Sequence, residues 1–165
     1  MKFGIIKERK NPPDRRVVFT PEELVRLQSE HPEAEIKVES SDVRIFSDDQ
    51  YRNLGLNVTT DMTDCDVLFG VKEVPLDALI SNKKYFFFSH TIKKQPYNRK
   101  LLQAVLAKNI ELYDHETIVN ASNHRLIGFG RYAGLVGAYN GFRGFGIKYD
   151  LFTLPKAETL SGKED

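Results

Sequence analysis

A single cysteine, Cys65, stands in the 165-residue chain, so no internal disulfide framework holds it together. Long apolar runs are missing as well. The densest, Tyr85 to Phe88, is the length of a buried strand and far short of the roughly 18 residues a membrane span needs. No excess of one charge exists: 24 lysines and arginines face 23 aspartates and glutamates, a formal net charge of +1. Neither a nucleic-acid partner nor an acidic membrane surface is therefore called for. The N-terminus MKFGIIKERK passes from a short apolar run directly into charge, unlike a secretory leader, and a cytoplasmic location is expected. The four histidines and the cysteine show no metal-ligand spacing, so no metal site is expected. A G-x-S-x-G elbow and a Ser-His-Asp order are equally absent.

What is present is an ordinary globular composition, 41% hydrophobic and 28% charged, enough for one compact core. Lys2 to Ile6 reads as a strand, and the charged, proline-bearing KERKNPPDRR after it reads as a loop. Thr20, Pro21 and Glu23 carry an N-cap, a first-turn proline and a capping box, so a helix runs from there to about Glu30. EIKVES alternates like a half-exposed strand, and SDDQYRNLG has the form of a short capped helix closed by Gly55. CDVLFG and KYFFFS are apolar strands, with PLDALI read as a helical turn between them. NRKLLQAVLAKN is a helix with Leu101, Leu102, Val105 and Leu106 on one face, followed by the strand IELYD. Strands alternating with helices predict an α/β fold: an open, mostly parallel sheet with helices on both faces, of the flavodoxin-like or Rossmann-like three-layer kind.

In such sheets ligands bind beyond the carboxyl ends of the strands, so the residues directly after each strand are the informative ones. Arg15 and Arg16 follow the first strand; Lys72 and Glu73 follow CDVLFG. His90, Lys93 and Lys94 follow KYFFFS, and His115 and Glu116 follow IELYD. Charged residues collect in loops for solubility alone, but here four separate loops deliver titratable groups to one edge. Lys72 and His90 stand nearest to rigid strands, where desolvation lowers a lysine's affinity for its proton and makes it usable as a base. Glu73 is either a tuning carboxylate or a solvated neighbour. His31, at a helix end, and His124, in a loop, read as bland surface residues.

RLIGFGRYAG imitates a dinucleotide fingerprint, with Gly128, Gly130 and Gly134 opening a helix and Asp150 further on. Arg131 and Tyr132 stand where a pyrophosphate would need bare backbone, so no cofactor-binding residue is expected in this chain. Gly134, Gly137, Gly141 and Gly144 fall within an arc of roughly 80° at about 100° per residue. The fold is expected to end in this long glycine-faced helix, whose residues 131–146 would pack against another domain or a second copy of the chain.

Read in order, KERKNPPDRRVVFTP, LFGVKEVP, KYFFFSHTIKKQPYN and RLIGFGRYAGLVGAYNG closely resemble the N-terminal domain of the alanine dehydrogenase, transhydrogenase and saccharopine dehydrogenase superfamily. SHTIKKQPYN and the FGRYAG helix are most similar to the lysine-forming saccharopine dehydrogenases and lysine-ketoglutarate reductases. The resemblance implies that residues 1–150 are a substrate-binding catalytic domain. Residues 151–165 would be a linker toward an absent domain that binds NAD or NADP. It implies Lys72 and His90 as catalytic acid-base groups and Arg16, Glu73 and Glu116 as substrate-binding or tuning residues, with Arg15 as an alternative to Arg16. The implied ligands are an amino acid and a 2-oxo acid, joined and reduced at a CH–NH bond as in saccharopine formation. An alanine dehydrogenase-like enzyme and a non-catalytic amino-acid-binding module are the alternatives, and the chain by itself is expected to be inactive in hydride transfer.

Overall fold

The computed structural model describes residues 1–160. Among them six strands form one sheet: β1 (Lys2–Ile5), β2 (Glu35–Glu39), β3 (Asn57–Thr59), β4 (Val67–Lys72), β5 (Lys84–Phe88) and β6 (Glu111–Asp114). Their spatial order is β3-β2-β1-β4-β5-β6, and every neighbouring pair is parallel. This is the Rossmann order rather than the flavodoxin one, with the reversal of direction between β1 and β4. The mostly parallel sheet expected from the sequence is parallel throughout these strands. β3, only three residues long, gave too short a period to be read in advance.

The helices follow from local chemistry. α1 (Pro21–Glu30) starts at a reciprocal cap in which Thr20 Oγ1 accepts from the Glu23 amide at 3.3 Å and the Glu23 carboxylate accepts from the Thr20 amide at 2.9 Å. Ser47 and Gln50 repeat the device at α2 (Asp48–Arg52), and Gly55 takes the left-handed conformation, φ 81°, that turns the chain toward β3. α3 (Arg99–Ala107) buries Leu101 and Val105. PLDALI, in contrast, is not a helix. It makes a single turn, the Ala78 amide donating to the Pro75 carbonyl at 3.0 Å, and its later groups are satisfied from outside the segment: the Ile80 amide donates to the Tyr85 hydroxyl at 2.9 Å, and Lys108 Nζ donates to the Leu79 carbonyl. Leu79 still enters the core, now from an irregular turn.

Both sheet faces carry core, as expected for parallel pairing. Leu24 of α1 and Tyr51 of α2 pack on one face with Ile5, Ile36, Val38 and Leu56. Leu101 and Val105 of α3 pack on the other with Leu68, Tyr85 and Phe87. The α1 face is covered only in part. A row of stacked rings crosses four strands there, Phe3 to Phe69 to Phe86 to Tyr113, with centroid separations of 6.3, 4.8 and 4.5 Å. Tyr113 at its end remains 41% exposed.

The chain divides into a compact unit, Met1–Leu126, and a second beginning at Ile127. The second holds α4 (Gly130–Tyr149), the long helix expected from the glycine pattern. Positions Gly134, Gly137, Gly141 and Gly144 have no atom within 4 Å of where a Cβ would stand. No strand runs into Gly128 and none reaches Asp150 among the described residues, so the dinucleotide fingerprint is absent as structure. After α4 the chain returns along it: Arg143 Nε donates to the Leu154 carbonyl and Tyr139 to the Pro155 carbonyl, both at 3.0 Å. Of the expected linker 151–165, the last five residues lie outside the described ones.

The packing sets an order of stabilities. Phe87→Ala, which empties a fully buried site, should cost about 3–5 kcal/mol, and Thr20→Ala, which removes one cap, about 1 kcal/mol. Urea unfolding of the two variants checks this. Equal midpoints would show that the β5–α3 layer is not the main core.

Candidate active site

Because β4 lies between β1 and β5, and β6 lies beyond β5, the carboxyl ends of these strands place four loops in one row. Lys72 is the last residue of β4 and pairs with Phe88 on β5, two residues before His90. The sheet therefore brings Lys72 and His90 to neighbouring strand ends.

His90 has an unusual backbone. Its φ of 57° and ψ of 11° are left-handed, and the buried Asn98 holds the turn by donating from Nδ2 to the His90 carbonyl at 3.1 Å. The ring lies over Phe88, with centroids 6.3 Å apart and planes 22° from parallel. Nδ1 is 3.0 Å from Glu116 Oε2. With Glu116 ionised, Nδ1 carries the hydrogen and Nε2 is left as the basic nitrogen. Lys93 Nζ, 3.4 Å from the same Nδ1, is thus a neighbouring charge rather than its donor.

Glu116 is the anionic hub of this half of the site. Its side chain is 3% exposed and meets three cationic or protonatable groups: His90, Lys93 Nζ at 3.2 Å and Arg125 Nη1 at 3.1 Å. Burial pushes its carboxyl up, but the bonds from His90 and Lys93 outweigh that and hold it below the ordinary carboxylate range. Asp114 supports the hub from beneath. One of its oxygens accepts from the Glu116 amide at 2.9 Å and the other from the Ser89 hydroxyl, which ties the end of β6 to the end of β5.

The other half gathers around β1 and β4. Arg16 Nε lies 2.9 Å from Asp14 Oδ1 and 3.2 Å from Oδ2, and this bond to the guanidinium holds the Asp14 carboxyl below its usual value. The charges of Asp14 and Arg16 act on Glu8, and that of Lys72 acts on Asp14, so Arg16 shares a neighbourhood with Lys72. Arg15 is exposed and lies with Ser41, Arg44 and Asp48 along a different depression. Glu73 is paired with Lys10. Burial raises its carboxyl, yet the bond from Lys10 and the field of His90 leave it lowered overall, while its Oε2 is buried without a hydrogen-bond partner. His115 turns inward: Nε2 donates to the Gly70 carbonyl at 3.0 Å, Nδ1 is buried without a partner, and burial lowers the ring's proton affinity. His31 and His124 are exposed and stand apart from this group.

Sequence reasoning missed Glu8, Asp14, Asp114 and Arg125. Glu8 and Asp14 lie in the loop after β1 and were within reach of the strand-end rule, whereas nothing in the local pattern marks Asp114 as a brace or Arg125 as a partner of Glu116. No group of three His, Cys, Asp or Glu side chains suited to a metal ion occurs among the described residues. No described helix is long and apolar enough to cross a membrane.

Residues 4–136 match the model of the alanine dehydrogenase/PNT N-terminal domain. The chain belongs to this family. Among relatives of this alanine dehydrogenase/PNT domain, alpha-aminoadipic semialdehyde synthase of Arabidopsis thaliana is 35% identical over 147 residues, covering 87% of the chain and 14% of that protein. The mitochondrial alpha-aminoadipic semialdehyde synthase of Mus musculus is 37% identical over 113 residues, 68% of the chain and 12% of that protein. Saccharopine dehydrogenase (NAD(+), L-lysine-forming) of Yarrowia lipolytica is 28% identical over 133 residues, 78% of the chain and 35% of that protein. Two solved structures share the fold: an L-alanine dehydrogenase, with TM-score 0.64 and 18% identity over 92% of this chain and 42% of that one, and a transhydrogenase from Sinorhizobium meliloti, with TM-score 0.60 and 16% identity over 91% and 43%. The chain thus spans less than half the length of each of these proteins.

Glu116→Gln tests the hub. At neutral pH the variant should be less stable by on the order of 1–3 kcal/mol, since three partners lose a charged acceptor. A carboxyl held below its unfolded value stabilises the fold above that value, about pH 4.3, and the advantage is lost as pH falls through the lower folded value. Urea midpoints of both proteins should therefore draw together as the pH is lowered below about 4.3; a gap of constant size from neutral pH into acid would show that the charge of Glu116 is not what stabilises this region.

Proposed function

We propose that this chain is the substrate domain of an NAD(P)-dependent amino-acid oxidoreductase acting on a CH–NH bond, of the saccharopine dehydrogenase type. The observation that carries the proposal is that Lys72 and His90 stand at the carboxyl ends of the neighbouring strands β4 and β5, beside the reversal of strand order, with the charges of Arg16 and Lys72 both acting on Asp14. The Yarrowia lipolytica relative named as an L-lysine-forming saccharopine dehydrogenase, 28% identical over 78% of the chain, supports the saccharopine-type substrate pair.

The residues divide the work by their chemistry. Arg16 presents a planar fork suited to a substrate carboxylate, with Asp14 holding one edge of the guanidinium in place. Lys72 takes a proton from the ammonium group of lysine and frees the amine to attack C2 of 2-oxoglutarate. His90 Nε2 takes up the proton that the carbinolamine nitrogen sheds and passes it to the carbinolamine hydroxyl, so that the C–O bond breaks and water leaves with an imine formed. Glu116 and Glu73 set the charge around the imidazole. In the reverse direction the same groups add water and release lysine.

The glycine-rich turn at Gly128 and Gly130 does not fit a dinucleotide, since no described strand enters it and the chain passes there directly into α4. NAD or NADP is therefore assigned to a further domain, and the hydride chemistry comes from there. The glycine face of residues 131–146 is assigned to packing against such a domain or a second copy.

Absorbance of the nicotinamide, followed with protein expressed from the complete gene, tests the proposal. Oxidation of reduced cofactor is expected with lysine plus 2-oxoglutarate and not with ammonia plus pyruvate; the opposite result moves the protein to the alanine dehydrogenases. Silence with both, while the chain still binds a 2-oxo acid, points to a binding module. Lys72→Met should lower kcat by about 10²–10⁴-fold, the range for loss of an acid-base group. Unchanged turnover would remove Lys72 from the mechanism.

A further inference from the structure

Backbone pairing between β1 and β4 stops before it reaches Lys72. The paired positions run from Phe3–Val67 to Ile5–Phe69, and the Ile6 amide makes the last contact, with the Phe69 carbonyl at 2.9 Å. On the other side the register slips. Phe69 pairs with Phe86 and Lys72 with Phe88, three steps along β4 against two along β5, so one residue of β4 is extra. A strand end with a bulge on one side and no backbone neighbour on the β1 side would leave the catalytic lysine loosely held.

Side chains take over where the strand stops. The two oxygens of Glu8 accept from successive amides, Oε1 from Val71 at 2.7 Å and Oε2 from Lys72 at 2.9 Å. From the direction of β6, His115 Nε2 donates to the Gly70 carbonyl at 3.0 Å. The space between is full: a Cβ on Gly70 would stand 3.1 Å from Ile6 and 3.5 Å from Glu8 Oε1. Two consecutive peptide groups, Gly70–Val71 and Val71–Lys72, are thereby pinned by two side chains from different loops.

We propose that Glu8 is a positioning residue for Lys72, its carboxylate replacing the missing strand and fixing the backbone from which the lysine projects. This rests on the acid-base role assigned to Lys72 above. The clamp needs both oxygens as acceptors, so it needs the ionised form. Burial and the neighbouring charge of Asp14 oppose ionisation, while the two amides and Arg16 favour it, and the carboxyl lies above the ordinary range. On protonation one oxygen becomes a donor facing an N–H, and one of the two bonds is lost. His115 behaves differently, since Nε2 keeps its hydrogen in either protonation state of the ring.

Amide-proton NMR of this chain, followed from neutral pH into acid, reads the clamp directly. The Val71 and Lys72 signals should move together with one midpoint above about 4.3, the usual glutamate value, and Glu8→Gln should abolish that shared titration. Two amides that do not titrate together in the wild type would overturn the proposal, whatever the folding of the variant. In protein from the complete gene, Glu8→Gln should lower kcat on the order of 10–100-fold with KM nearly unchanged, the signature of a misplaced group rather than lost binding. Turnover intact in Glu8→Gln but abolished in Lys72→Met would overturn the positioning role alone. Turnover intact in Lys72→Met would overturn the assignment of Lys72 and the proposal with it.

Discussion

Parallel pairing outward from β1 in both directions is the constraint on which the rest of this molecule depends. A chain that builds β1-β2-β3 to one side and β4-β5-β6 to the other must open a crevice where the two connections diverge. Every loop at that crevice arrives on a strand whose position is set by burial, from Val38 and Leu68 to Phe87. The site is thus made of ends: its side chains are the first residues released from the ladder, held at their roots by a packed core and free of it at their tips.

Once released from the ladder, these residues depend on charge for order. Carboxylates recur at each point where backbone bonding runs out. Glu39 accepts from the Lys7 amide at 2.9 Å and pairs with Arg9; Asp114 holds the Glu116 amide; Asp48 accepts from the Ser41 amide at 3.1 Å. Each satisfies an amide that would otherwise face the interior unpaired, at a cost of about 1–3 kcal/mol. Glu39 and Asp48 also balance Arg9 and Arg44, while Asp14 balances Arg16 and Glu116 balances Lys93 and Arg125, which is how a chain with almost no net charge maintains a densely charged edge.

How much of this was legible in the sequence depends on the range of the interaction responsible. The capped helix at Thr20, the apolar strands around Phe87 and the glycine helix declare themselves within a dozen residues, and each stands where the pattern put it. PLDALI gives the turn its spacing suggests but does not continue as a helix, because its later hydrogen bonds go to Tyr85 and Lys108, which no local pattern contains. β3 is too short to show a period. Lys72, His90 and Glu116 were visible because strand ends can be read from strands. Glu8 and Arg125 gain their partners across separations of 64 and 9 residues, and pairing at such distances is decided by topology.

The backbone at His90 has a consequence for what this position can become. Left-handed φ excludes branched side chains and costs most others roughly 1–2 kcal/mol, so glycine and asparagine are the comfortable occupants. Neither carries an imidazole. Two selection criteria that act on different atoms, one on the dihedral and one on the ring, meet at a single codon. A change to glycine is thus favoured by conformation and opposed by what the ring does, its stacking on Phe88 and its bond to Glu116 included. A lineage that lost the reaction would be expected to register the loss here early, with glycine or asparagine in place and the surrounding turn, anchored by Asn98, unchanged.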